Sequence, residues 1–232
     1  MTARIVSQEE WLDARKAFLA KEKEFTRARD ELARQRRELP WLRIDKQYAF
    51  EGPEGRLTLA DLFGSKGQLL IYHFMMGPDW EEGCPSCSFW ADNYNGVDVH
   101  LAHRDTALVA VSRTPLAKIE AYKKRMDWTF GWVSSAGSDF NFDFGVSFDP
   151  AKRVEGERNY NYGSMAFGSD EAPGLSAFRR GDDGALYHTY STYSRGLDMF
   201  NAAYQMLDIT AKGRDEADLP WPMAWLKRHD RY

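Results

Sequence analysis

The sequence predicts an α/β fold with a central mixed sheet, an insertion before the final hairpin and a long N-terminal helix. Three observations point there. The runs 68–76 and 106–112 are short and continuously apolar, the texture of strands buried on both faces of a parallel sheet. Helical stretches at 85–103 and 115–126 follow them, and that order makes a parallel pair joined by a right-handed crossover. Later, Gly181-Asp182-Asp183-Gly184 lies between the segments 175–179 and 185–190, a hairpin signal.

Residues 7–39 read as one long helix. Ser7 stands where a cap belongs, with Glu10 three residues on to complete a capping box. Trp11, Phe18, Phe25, Leu32 and Leu39 recur every seven residues, with Leu12 and Leu19 beside them, as a narrow apolar stripe on a charged surface. Pro40 ends the helix and divides the chain into a helical arm, 1–40, and a domain, 41–232. A stripe of this kind needs a cover, and the expectation is a homodimer through residues 7–39. Acids interleave the basic cluster 34–37, which therefore reads as a solvated face.

From residue 47 the texture changes. Gly52, Pro53 and Gly55 mark a turn between short strand-like pieces, and 57–63 follows. A loop with Gly77, Pro78 and Gly83 leads into the helix at 85–103, with Pro85 in the first turn, where its missing N–H costs nothing. Residues 128–134 read as a third parallel strand, while 140–148 is aromatic and takes no assignment. The stretch 149–172 is polar and reads as a surface excursion, 196–208 as a closing helix, and 221–232 as a segment anchored by tryptophans. The aromatics Trp128, Phe130, Trp132, Phe140, Phe142, Phe144 and Phe148 read as core, with an apolar substrate groove as the alternative.

The chain has 232 residues, 43% of them hydrophobic, enough for one substantial core. A net charge of −4 gives no electrostatic reason to expect nucleic acid or an anionic membrane as partner. No apolar run reaches the roughly 18–20 residues of a membrane span, and residues 1–7 lack the pattern of a signal peptide, so the expected location is cytoplasmic. Only two cysteines are present, Cys84 and Cys87, separated by Pro85 and Ser86. A disulfide-stapled secreted fold uses more cysteines, spaced more widely. A structural zinc needs four ligands, and the five histidines show no paired spacing, so no metal is expected. In a strand–helix context a lone Cys-x-x-Cys reads first as a redox motif.

The position of the pair supports that reading. Cys84 falls at the N-terminus of the helix 85–103, where unpaired N–H groups and the positive dipole end favour a thiolate. The spacing i, i+3 on one helical turn brings the sulfurs within bonding reach. The order of elements, with Cys-x-x-Cys between the first strand and its helix, is that of a thioredoxin fold carrying an insertion.

The stretch from Tyr72 through Trp80, Cys84-Pro85-Ser86-Cys87 and Trp90 to Gly96 closely resembles a bacterial family of predicted thioredoxin-like dithiol–disulfide oxidoreductases, a domain-of-unknown-function family. Residues 36–41, 132–148 and 207–216 extend the resemblance over nearly the whole chain. It implies that Cys84 attacks and Cys87 resolves, and that Ala172-Pro173 is the cis-proline facing the disulfide. Two departures stand out. The buried acid that thioredoxins carry on the strand before the cysteines is missing; Tyr72 and His73 occupy that neighbourhood. His73 is then either a substitute proton-transfer group or a hydrogen-bonded core histidine. The tryptophan usual beside the first cysteine is displaced to Trp80, with Glu81 and Glu82 between, acids that would oppose a thiolate if close. Asp92, beyond Cys87, reads as a site contact or a local cap.

The resulting expectation is a thiol–disulfide oxidoreductase working through a mixed disulfide, with no organic or metal cofactor. Its partners would be a protein or small-molecule thiol or disulfide and an unidentified electron donor, with no nucleic acid and no membrane. One alternative is a thiol peroxidase, although Pro78 lies six residues before Cys84 without the threonine that peroxiredoxins place there. The other is a redox-inert binding module of the same fold.

Overall fold

The computed structural model describes residues 3–152, 154, 156–157 and 159–232, and the chain divides into two units, Met1–Pro40 and Trp41–Tyr232. In the first unit, α1 (Gln8–Arg37) starts as its sequence predicts. The Ser7 hydroxyl accepts from the Glu10 N–H at 3.2 Å, and the Glu10 carboxylate accepts from the Ser7 N–H at 3.1 Å. Arg34 bridges Glu31 and Glu38 on the outer face of the last turns. No residue of α1 is buried, and Trp11, Phe18, Phe25 and Leu32 are each more than half exposed.

The second unit is built on one eight-stranded mixed sheet. Its strands are β1 (Leu42–Arg43), β2 (Ala49–Gly52), β3 (Gly55–Thr58), β4 (Gln68–His73), β5 (Thr106–Ser112), β6 (Gly131–Ser134), β7 (Gly174–Arg180) and β8 (Leu186–Tyr193). They lie in the order β1-β8-β7-β4-β5-β6-β2-β3. β4, β5 and β6 are parallel; β7 runs antiparallel to β4, from Gln68↔Arg179 to His73↔Gly174, and hairpins into β8. A parallel βαβ unit whose first strand also pairs with an antiparallel hairpin is the thioredoxin-like arrangement. Among the described residues no helix is long and apolar enough to cross a membrane.

Alternation along β4 feeds two cores. Leu70 and Tyr72 face one side, with Phe74, Trp90, Tyr122, Trp128 and Trp132. Leu69 and Ile71 face the other, with Phe50, Phe63, Phe140 and Phe178. The remaining helices are α2 (Pro85–Ala91), α3 (Val97–Ala102), α4 (Leu116–Arg125), α5 (Phe140–Asp143) and α6 (Ala202–Leu207).

Several expectations are corrected here. The helix expected over 85–103 is two, because the Asn93 side chain bonds back to the Phe89 and Trp90 carbonyls and Gly96 turns the chain at φ +79°. The closing helix over 196–208 is a 3-10 segment, Ser194–Phe200, and then α6. Asn201 interrupts them by capping α6, its side chain accepting from the Tyr204 N–H at 2.9 Å. The 149–172 excursion is not all surface: Tyr160 and Glu171 are buried, and Glu171 bonds to Ser147 and Arg113. At the C-terminus the anchors are Trp225, packed edge-on to Phe89, and buried Leu226, whereas Trp221 is exposed.

Candidate active site

The site begins where β4 ends. Phe74–Gly83 loops out and returns so that Cys84 becomes the N-cap of α2, with φ −54° and ψ 131°, and Pro85 its first helical residue. Two hydrogen bonds lock the cysteines to the loop: Cys84 N–H donates to the Met75 carbonyl at 3.1 Å, and Met75 N–H donates to the Cys87 sulfur at 3.4 Å. Gly83 has to be glycine, since a Cβ there would lie 2.5 Å from the Phe74 ring. The two sulfurs are not bonded to each other; Cys84 is half-buried and Cys87 is 2% exposed.

The two thiols are electrostatically unequal. Cys84 is lowered to about 6, first by the hydrogen bond from the Cys87 thiol, against the cost of burial, and then by the N–H groups of Cys87 and Ser86. Cys87 is pushed far up, chiefly by burial and then by its contact with Cys84. Glu81 and Glu82 do not oppose the thiolate as a free pair. Glu81 pairs with Lys118, and Glu82 with Arg125, Arg228 and Arg231.

A cavity of about 250 Å³ opens against both sulfurs, and Tyr72, Trp90, Tyr160, Phe167, Pro173 and Met223 are among its walls. The structure brings Pro173 and Pro85 to the cysteines but corrects other expectations. The Ala172–Pro173 peptide is trans, there being no cis peptide among the described residues. Here the chain is drawn straight into β7 by the Ser147↔Glu171 bridge and by Ala172 N–H donating to Val146 at 2.8 Å. Ala172 itself packs in the opposite core. Trp80 does not line the cavity; its indole lies over Gly77. None of the aromatics at 128–148 lines it either.

His73 takes the second of its two readings. It alternates with Tyr72, so it points away from the cysteines and stacks on Phe140 and Phe144 at 5.6 and 5.7 Å. Its Nε2 is bonded to the Ser176 hydroxyl at 2.8 Å, and burial lowers it to about 3. It is a core histidine. Tyr72 has the position facing Cys87, its hydroxyl donating to the Cys87 carbonyl at 3.3 Å.

Arg228, Tyr160 and Phe167 were not foreseen from the sequence. Arg228 donates to the Gly83 carbonyl at 2.7 and 3.2 Å and to the Tyr122 hydroxyl at 3.0 Å. Tyr122 in turn meets Ser88, which donates to the Cys84 carbonyl at 2.9 Å, so the carbonyls on both sides of Cys84 are held. The neighbouring His229 binds Asp92, which also accepts from Trp128; Asp92 is thus a clasp at the end of α2 rather than a site contact. Iodoacetamide alkylation of Cys84 should show a pH inflection near 6. In Arg228→Met it should move up by about half to one pH unit, the equivalent of one ordinary hydrogen bond, and Arg228→Lys should recover part of that. An inflection unmoved in Arg228→Met contradicts the positioning role.

Among the described residues, no three His, Cys, Asp or Glu side chains gather where they could hold a metal ion. Fold and site together define a thioredoxin-fold protein with a Cys-x-x-Cys pair at a helix N-terminus. The chain belongs to the family described as bacterial proteins of unknown function, DUF899, which matches residues 1–232. No curated protein matches it. Among solved structures, the peroxidoxin BcpB of Mycobacterium tuberculosis is similar at 13% identity and TM-score 0.49, over 72% of this chain and 97% of that one. Peroxiredoxin Q of Xanthomonas campestris is similar at 13% and 0.43, over 68% and 89%. The mitochondrial 2-Cys peroxiredoxin of Plasmodium falciparum is similar at 11% and 0.41, over 72% and 92%. Likeness at this level says nothing about the reaction, and the chemistry has to come from the site.

Proposed function

We propose that the protein is a cytoplasmic thiol–disulfide oxidoreductase in which Cys84 is the nucleophile and Cys87 the resolving thiol. The observation that carries this reading is the inequality of the pair: an acidic, half-buried Cys84 on a cavity, and a shielded Cys87 with a raised pKa one helical turn behind it. The Cys84 thiolate attacks one sulfur of a substrate disulfide, forming a mixed disulfide and releasing the first thiolate. The Cys87 thiol then gives up its proton to the departing second thiolate and attacks the Cys84 sulfur. The products are an intramolecular Cys84–Cys87 disulfide, one substrate thiolate and one substrate thiol, a two-electron transfer. An external dithiol reverses it and completes the cycle.

Reduction of hydroxyethyl disulfide with dithiothreitol as donor tests this, with hydrogen peroxide as a second arm. Turnover of the disulfide that depends on Cys84 is the expected result. Efficient peroxide consumption without disulfide turnover would move the assignment to a thiol peroxidase. The exposed stripe of α1 is assigned to pairing with the same stripe of a second copy, and light scattering that reports a monomer at micromolar concentration rejects it.

A further inference from the structure

We propose that the disulfide reduced by this pair is a small molecule with an apolar body, and that Tyr160 and Phe167 build the pocket wall that selects it and keeps polypeptide out. This rests on the redox reading and adds a substrate class to it. The cavity against both sulfurs measures about 250 Å³. That is more than the ~150 Å³ cavity known to hold benzene and less than the ~300 Å³ at which drug-sized sites begin, so a single aryl or branched alkyl group fits.

Tyr160 and Phe167 come from the insertion. Tyr160 is 1% exposed and its ring lies 4.8 Å from that of Phe167; both line the cavity. Tyr160 also occupies the backbone beside the sulfurs. Its hydroxyl donates to the Pro173 carbonyl at 2.5 Å and accepts from the Ser194 N–H at 2.9 Å. Ala172 N–H is spent on Val146, and β7 has β4 on one edge and β8 on the other. A polypeptide disulfide held extended at the site needs unpaired backbone groups to bond with. The Ala172 N–H and the Pro173 carbonyl are both committed. A small apolar disulfide needs none, only the aromatic walls.

The step balances without a further reactant. The Cys84 thiolate displaces one apolar thiolate from the disulfide, Cys87 displaces the other, and the two electrons of the pair leave on one released thiolate and one released thiol, the latter carrying the Cys87 proton.

The test uses the reduced full-length protein in single turnovers, reading formation of the Cys84–Cys87 disulfide. Three oxidants are compared: a benzyl-substituted disulfide, hydroxyethyl disulfide, whose leaving thiol is of similar acidity, and insulin. Each rate is normalised to that of a free low-molecular-weight thiol. The benzyl disulfide should be preferred over insulin by at least about tenfold, and Phe167→Ala should lower its rate by about tenfold, the scale of one pocket contact. Tyr160→Phe keeps the ring and releases the Pro173 carbonyl and Ser194 N–H, so it should raise the insulin rate. Insulin reacting as fast as the benzyl disulfide in the unmodified protein overturns the proposal, as does a Phe167→Ala protein with unchanged ratios. Both results leave the redox reading standing, whereas a Cys84 inert to all three oxidants overturns both.

Discussion

Cys84→Ser is expected to abolish disulfide reduction, and Cys87→Ser to halt it at the mixed disulfide. The asymmetry follows from the helix start. Cys84 accepts the hydrogen bond of the Cys87 thiol and then those of the Cys87 and Ser86 N–H groups, which lower it to about 6 and favour the thiolate at neutral pH. Cys87 is 2% exposed and held as a thiol, so it has neither the charge nor the access to replace Cys84. Residual turnover in Cys84→Ser should fall below about a few per cent of the wild-type rate, the thiolate fraction of an unassisted cysteine at neutral pH, because burial pushes Cys87 further up. In Cys87→Ser the covalent adduct with the substrate thiol should accumulate, visible by mass under non-reducing conditions. Equal trapping by both variants, or trapping by neither while the wild type cycles, would reverse the assignment of roles.

The second large effect concerns stability in acid. His73 is buried against Phe140 and Phe144, and among the described residues its Nδ1 has no hydrogen-bond partner. Burial, with a smaller contribution from His188, lowers it from the ordinary 6.5 to about 3. The folded pKa is depressed, so its full stability is present above about 6.5. As pH falls from 6.5 towards 3, the unfolded chain takes up a proton that the fold refuses. Stability is lost at about 1.4 kcal/mol per pH unit, or about 2 kcal/mol by pH 5. His73→Leu removes the titrating group while Ser176 keeps its bond to Ser191 at 2.7 Å. Urea unfolding at pH 7 and pH 5 should show the variant losing about 2 kcal/mol less than wild type over that interval. The same loss in both proteins would mean that His73 is charged in the fold.

The parts of the fold and of the site that can be read in the sequence are those set by local rules. The Ser7 capping box, the buried runs of β4 and β5, the hairpin at Gly181–Gly184 and Cys84 at a helix start each depend on a few adjacent residues. The two readings of His73 stay open in the sequence because a continuously apolar strand hides its own alternation. Tyr72, sharing the parity of Leu70, was the residue to choose. The trans Ala172–Pro173 peptide depends on Ser147 and Val146, and nothing near Pro173 in the chain announces them. Tyr160, Phe167 and Arg228 reach the site from loops far away in sequence. Their only trace was aromatic residues in a polar stretch and a basic residue near the C-terminus.

The central claim is that Cys84 and Cys87 form one two-electron redox pair. Equilibration of the protein in glutathione buffers of graded poise, followed by acid quench, maleimide labelling and mass measurement, tests it most directly. The account predicts that both thiols disappear together in a single transition, with loss of two hydrogens and no glutathione adduct building up. A protein that keeps both thiols at every poise, or that collects a glutathione adduct on Cys84 while Cys87 stays free, contradicts it.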